Sequence, residues 1–478
     1  MIHRGLVICV SILVCSAALL PAACSSAPKE KKKTILMTDF DDARLGAEVS
    51  ESVAAQMGLL EDPALDAYVD EIGHKLLRGV PRRGFAYQFQ IVDQFEPNAF
   101  ALPGGYIYIS RGLLALANDA DELANVIGHE ITHAARRHAA AQQAMSQRMN
   151  PLAFGYVGAA TRAAYGRDME RDADRGGQML AAAAGYDPMG MSTFMRSLGQ
   201  TERLIVGHAR NPSFLDTHPG SGERSAANAA RARELRWQRD PALGDTRASY
   251  LRKIDGIPLG DRPQAGVFQG NAFLHPDLDF YVRFPDGWAL RNTHTAVGAS
   301  SPRGDAVVFL SADMPAGDPR EMAEKFVQKT MEQISVKVVE SKPVVIGRID
   351  SWRMMLEGRG RGGSLTAYVT FIPYRGTTWR ITGVSPSRSA KLYLGRTLNT
   401  ARSFRPLTER ERTSTHATFL RLATARQGES IQALTERTGN AWDAGHTAVY
   451  NGVFVDHRFD AGDLVKIARV VPYTPPAY

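Results

Sequence analysis

The sequence predicts a multidomain α+β protein: a mainly helical first part with a small sheet, an antiparallel α/β sandwich-like middle, and a small strand-helix-helix-strand unit at the end. Three observations carry this. The chain has 478 residues, too many for one ordinary core. Its first half shows apolar residues at helical spacing with only short strand-like stretches between them. From about residue 270 the texture changes to alternating strands flanked by two helices.

At the N-terminus, His3 and Arg4 precede an apolar run from Leu6 to Leu20 that ends in Pro21-Ala22-Ala23-Cys24-Ser25. The run is too short to span a bilayer comfortably and closes on small residues, so residues 1–24 read as a cleaved secretory signal. Cys24 resembles the lipidated cysteine of a bacterial lipoprotein, with Pro21 where an aliphatic residue is usual. The expectation is an outer-membrane lipoprotein on the periplasmic side of a bacterial envelope, held by a lipid anchor. All three cysteines, Cys9, Cys15 and Cys24, fall in this leader, which excludes a disulfide framework downstream. Residues 25–39 form a basic tether around Lys29-Glu30-Lys31-Lys32-Lys33, best read as a solvated linker. The chain carries 57 basic and 50 acidic residues, a formal charge of +7, scattered and without a nucleic-acid motif, so DNA and RNA are discounted as partners.

Residues 40–262 read as the first folded domain. Two helices, about 42–57 and 63–77, precede the strand-like run Tyr87 to Val92 and an extended stretch from Phe100 to Ile109. Pro103, Gly104 and Gly105 in that stretch predict a turn and an edge strand. Next comes the helix with the most chemistry, His129-Glu130-Ile131-Thr132-His133. Asp119 followed by Glu122 predicts a capping box, and Leu123, Val126, Ile127, Ile131 and Ala134 form an apolar stripe. Residues four apart stack on one helix face, so His129 and His133 reach one metal, while Glu130, one step round, is placed as a general base.

A catalytic zinc site needs a third protein ligand. Arg136 and Ala139 stand where a second motif of this type would put Gly and His, and His138 lies off the metal-facing line and reads as a surface residue. A helix from about 167 to 184, stopped by Gly185 and Pro188, offers Glu170 instead. Asp174, four residues on, shares its face and is placed to accept the free N–H of a ligand histidine. A purely structural metal is disfavoured, because such sites are usually four-ligand and cysteine-rich, which this chain does not supply.

Five motifs together, Asn98 to Ile107, Arg111-Gly112-Leu113-Leu114, His129 to His133, Glu170 to Asp174, and Thr217-His218-Pro219 with Arg224, resemble the HtpX and CAAX-prenyl-protease family of gluzincin metallopeptidases, in its soluble or lipid-anchored periplasmic branch. The resemblance covers about residues 42–238. It implies that His129, His133 and Glu170 bind Zn2+, that Glu130 is the base and that Asp174 supports a ligand. It further implies that Ala99, Phe100, Ala101 and Leu102 form an edge strand receiving an extended peptide. His218 resembles a loop histidine that plugs the site or stabilises an oxyanion, with Arg224 beside it.

Residues 266–408 carry no cluster of catalytic side chains and look like a PsbP/Mog1-type accessory domain that binds or positions. In residues 415–478, Gln427-Gly428-Glu429-Ser430, Asn451-Gly452 and Ala461 to Ile467 resemble a LysM domain, the βααβ peptidoglycan-binding fold, with an unusually long middle segment. The function expected is a zinc-dependent metalloendopeptidase of the bacterial envelope acting on misfolded or unassembled envelope proteins, with possible peptidoglycan contact through the last unit. The competing reading is a chaperone or assembly factor of the outer membrane with a mostly latent protease site.

Overall fold

The computed structural model describes residues 38–81, 84–139, 166–204, 214, 218, 221–331, 335–360 and 363–475. The expected signal segment, Cys24 and most of the tether lie outside the described residues, as do Thr217 and Pro219.

The first domain opens with α1 (Asp39–Met57) and α2 (Pro63–Leu77). Thr38 extends α1 three residues beyond the predicted start: its hydroxyl accepts from Asp41 N while its own N–H donates to the Asp41 carboxylate. Strands β1 (Gln88–Val92), β2 (Ala99–Leu102) and β3 (Tyr106–Ser110) form a small sheet in the order β1-β3-β2, which puts β2 on the edge as the Pro-Gly-Gly turn predicts. Gly104 and Gly105 take φ of 77° and 85°, so the turn depends on glycine at both places.

Helix α3 (Arg111–Leu116) leads into α4 (Ala120–Ala135), which carries the His-Glu-x-x-His string. The cap of α4 is half as predicted: the Asp119 carboxylate accepts from Glu122 N at 2.8 Å, but the Glu122 side chain returns to Asn118 N, one residue further back. Leu123, Val126, Ile127 and Ile131 are fully buried, as the stripe requires. Helix α5 (Arg167–Ala183) packs against α4 at glycines. A Cβ on Gly128 would sit 2.9 Å from Gly177 O, and one on Gly177 would sit 2.7 Å from His129 N. This contact of backbone on backbone brings the acidic start of α5 to the histidines of α4. Three further helices, α6 (Gly190–Leu204), α7 (Ser221–Glu234) and α8 (Thr246–Ile254), complete the domain and were not anticipated from the sequence.

The middle domain is built on a seven-stranded antiparallel sheet of β8 (Ala289–Asn292), β9 (Ala296–Ser300), β10 (Val307–Pro315), β11 (Val336–Ile346), β12 (Ile349–Gly360), β13 (Gly363–Tyr374) and β14 (Thr377–Pro386), in the order β11-β12-β13-β14-β10-β9-β8. One face holds Val308, Leu310, Trp379 and Ile381 against α10 (Ala390–Arg402) and a three-stranded meander, β5 to β7, spanning Val267 to Arg283. The other holds Leu356, Val369 and Phe371 against α9 (Pro319–Met331). The predicted antiparallel sheet with two flanking helices is present; the strand expected at Phe280 to Phe284 forms, as Phe280–Arg283, but in the separate meander and not in the main sheet.

The C-terminal unit has the expected outer strands, β15 (His416–Thr424) and β18 (Leu464–Pro472), with α12 (Ile431–Thr438) and α13 (Ala444–Asn451) between them. It is not detached. Strand β15 also pairs with β4 (Pro258–Leu259), and Leu420, Tyr450 and Ala468 share one apolar core with the helices of the first domain. Lys466, fully buried, donates to the carbonyls of Ala115, Leu116 and Ala117 at 2.8–3.1 Å and so caps the C-terminal end of α3.

Between the middle domain and this unit, the short helix α11 (Glu409–Thr413) presents Glu411 to both Nη atoms of Arg405 at 2.8 and 2.7 Å. The Arg405 hydrogen bonds bring the Glu411 carboxyl down from its ordinary value to about 2. A carboxyl whose folded-state value is depressed contributes stability above the unfolded value and loses it as pH falls. Thermal midpoints of wild type and Glu411→Gln should therefore differ at pH 6, modestly because the pair is partly exposed, and converge by about pH 2. A constant gap across that range would contradict this.

Candidate metal centre

Helix α4 projects His129 and His133 from one face, one turn apart, and the glycine contact with α5 sets Glu170 opposite them. The Nε2 atoms of the two histidines stand 3.0 Å apart, His133 Nε2 is 3.4 Å from Glu170 Oε1, and His129 Nε2 is 3.7 Å from Glu170 Oε2. His218 joins them, its Nδ1 3.3 Å from His129 Nε2 and 3.0 Å from both Glu170 oxygens. All four side chains are buried, and their ligand atoms lie within 4.8 Å of one another. Tetrahedral donors about 2.1 Å from a zinc ion stand roughly 3.4 Å apart, so this spacing fits the ion. The donor set, imidazole nitrogens with a carboxylate, is that of a zinc site and not of a calcium or magnesium site.

Glu130 is fully buried, with neither carboxylate oxygen hydrogen-bonded among the described residues and His218 Nε2 at 3.5 Å. Burial raises its pKa, which favours a carboxylate ready to hold a proton. Burial, reinforced by the neighbouring His129, His218 and His138, lowers His133 well below its ordinary value and leaves it neutral, the form that ligates. Burial alone would raise Asp174, but its bonds to Arg224 and His129 outweigh that and depress it.

Asp174 Oδ1 lies 3.0 Å from His129 Nδ1, as the i,i+4 spacing from Glu170 anticipates. Arg224, on α7, grips Asp174 through Nε at 2.8 Å and Nη2 at 2.6 Å, and its Nη1 reaches Glu170 Oε2 at 2.7 Å and His218 O at 3.1 Å. Phe214 stacks on the His218 ring at 4.2 Å and accepts the His218 N–H on its carbonyl oxygen, fixing that imidazole over the ligands. Ala99 to Leu102 are all buried, and the far side of β2 is unpaired among the described residues.

Two partners were missed. Asn228 donates to Asp174 Oδ2 at 3.1 Å from α7, a helix the sequence did not announce. His138 is a correction: it was read as a surface residue and is 7% exposed, with its ring centroid 4.9 Å from that of His133. The reading assumed that α4 continues, whereas α4 stops at Ala135 and Arg137 adopts φ of 57°, which turns the chain back under the site.

Comparison with known proteins agrees with this geometry. Residues 63–232 match the model of Peptidase family M48. The chain is 29% identical over 202 residues to the beta-barrel assembly-enhancing protease of Escherichia coli (strain K12), covering 37% of this chain and 41% of that one. It is 27% identical over 206 residues to the protein of the same name from Yersinia pestis, covering 38% and 42%. It is 30% identical over 159 residues to the mitochondrial metalloendopeptidase OMA1 of Bos taurus, covering 28% and 30%. The match spans less than half the length of each relative, and the family match covers the segment that holds the buried histidines and Glu170. Residues 63–232 thus match the Peptidase family M48 model, and the buried His129, His133, Glu170 and His218 within that match form a group able to hold a metal ion.

Proposed function

We propose that the full chain is a zinc metalloendopeptidase of the bacterial cell envelope that hydrolyses misfolded or unassembled envelope proteins. The observation that carries the reading is Glu130, a buried carboxylate without a hydrogen-bond partner among the described residues, next to three imidazoles and Glu170 at zinc spacing. The names of the bacterial relatives support barrel assembly as the setting. No described helix is long and apolar enough to cross a membrane, and an anchor at Cys24 with an outer-membrane location belongs to this proposal.

His129, His133 and Glu170 would hold the ion, which when bound polarises a peptide carbonyl and acidifies water beside it. An extended substrate would add to the free edge of β2 along Ala99 to Leu102, giving backbone hydrogen bonds without demanding a side-chain sequence. Glu130 takes a proton from the attacking water and delivers it to the leaving amine. Arg224, engaged with Asp174 and Glu170, holds the carboxylates and leaves the oxyanion to other groups. His218 occupies the fourth place among the donors, so it plugs the resting site and must withdraw for substrate to enter. For the C-terminal unit we propose the LysM-type fold without requiring glycan contact, since much of its sheet is committed to the first domain.

The test is cleavage of an unfolded outer-membrane barrel protein by the full chain with zinc. Chelation should stop it and zinc restore it, and His218→Ala should cut faster than wild type. No cleavage by either protein would sink the peptidase reading, and slower cleavage by His218→Ala would sink the plug.

A further inference from the structure

When an ion is held through His133 Nε2, that nitrogen supplies its lone pair and the ring proton resides on Nδ1. His133 Nδ1 lies 2.9 Å from His138 Nδ1, and both rings are buried. His138 therefore accepts on Nδ1 and carries its own proton on Nε2. That nitrogen stands 3.4 Å from Asp172 Oδ2, an atom that also faces Arg136 Nε at 3.2 Å.

The two ligand rings are supported differently. His129 meets Asp174 directly, because Asp174 shares the helix face of Glu170. Asp172 lies two residues from Glu170, on the opposite side of α5, and cannot share that face. A second imidazole bridges the difference. The backbone is arranged to deliver it: Arg137 adopts a left-handed conformation rare for a non-glycine residue, and its Nε is fixed to the buried Asp42 Oδ2 at 2.5 Å. The run Glu170, Asp172, Asp174 then acts on the site three ways, as a ligand, through His138 and through His129.

Resting on the zinc reading of the site, we propose that His138 is a positioning residue: it accepts the Nδ1–H of His133, with Asp172 fixing its tautomer, and so sets the angle at which His133 meets the metal. Its substitution should change metal affinity and not only fold stability.

The experiment is zinc affinity of the full chain by chelator competition, beside the thermal unfolding of each zinc-free protein. Wild type should take up zinc that His133→Ala does not; a wild type that binds none overturns the zinc reading and this inference with it. His138→Leu should bind zinc about 10- to 100-fold more weakly. His138→Gln, whose amide oxygen can accept from His133 while its N–H donates to Asp172, should recover most of that loss. Asp172→Asn should weaken binding in the wild-type background and add nothing to His138→Leu. Wild-type affinity in a folded His138→Leu, or equal losses in the Leu and Gln variants, would overturn the positioning role while leaving the zinc site standing.

Discussion

If the full chain hydrolyses peptides as proposed, glutamine at position 130 should all but abolish that activity while leaving zinc binding in place. The amide matches the carboxylate in size, so the buried space around residue 130 is kept, but it takes no proton at any working pH. Loss of a positioned general base lowers turnover by about 10²- to 10⁴-fold. The ligands His129, His133 and Glu170 are untouched, so zinc content stays at the wild-type level, whereas His133→Ala loses zinc and activity together. Casein or barrel-protein cleavage at the wild-type rate by pure Glu130→Gln protein would remove Glu130 from the mechanism. The same variant separates the protease from the chaperone reading. If an inactive copy still relieves an envelope assembly defect, the work lies with the middle and C-terminal parts; if it does not, hydrolysis is the function.

The local part of this site was legible in the sequence because it rests on helical period. His129 and His133 one turn apart, the apolar stripe beneath them and the i,i+4 relation of Glu170 to Asp174 follow from 3.6 residues per turn, and the structure places each as expected. What was illegible depends on where helices stop and what they meet. His138 is aimed by a single left-handed residue, Arg137, and by an ion pair to Asp42, 95 positions away. Asn228 sits on a helix rich in Ala and Arg whose apolar period is weak, so nothing marked it as a partner of Asp174. Lys466 meets the carbonyls of α3 only because β15 and β18 dock on the first domain, some 350 positions away in the chain. The boundary expected at residue 415 follows a real change of texture, yet the apolar core crosses it through Leu420, Tyr450 and Ala468. Pattern within a segment gives its secondary structure; which segments share a core is set by long-range packing that no single window contains.

Arg224→Met should destabilise the zinc-free chain by about 3–5 kcal/mol, the cost of leaving buried charge without its partner. Arg224 is 6% exposed and lies between two carboxylates that are each 1% exposed, with both sides of Asp174 bonded to its guanidinium and Glu170 on its third nitrogen. Methionine fills much of the volume but, among the described residues, leaves Asp174 with only His129 Nδ1 and Asn228, and removes one of the positive neighbours of Glu170. Lysine should restore only part of the loss, since a single ammonium cannot bond Asp174 through two atoms and reach Glu170 as well. Zinc changes the balance. A bound ion supplies positive charge at Glu170 and stabilises the folded state by mass action, so the same substitution should cost less in the loaded chain than in the apo chain. Urea unfolding of both proteins, each with and without zinc, measures the four free energies required. An apo Arg224→Met chain within about 1 kcal/mol of wild type, or an equal loss with and without zinc, would show that Arg224 is not what neutralises the two carboxylates.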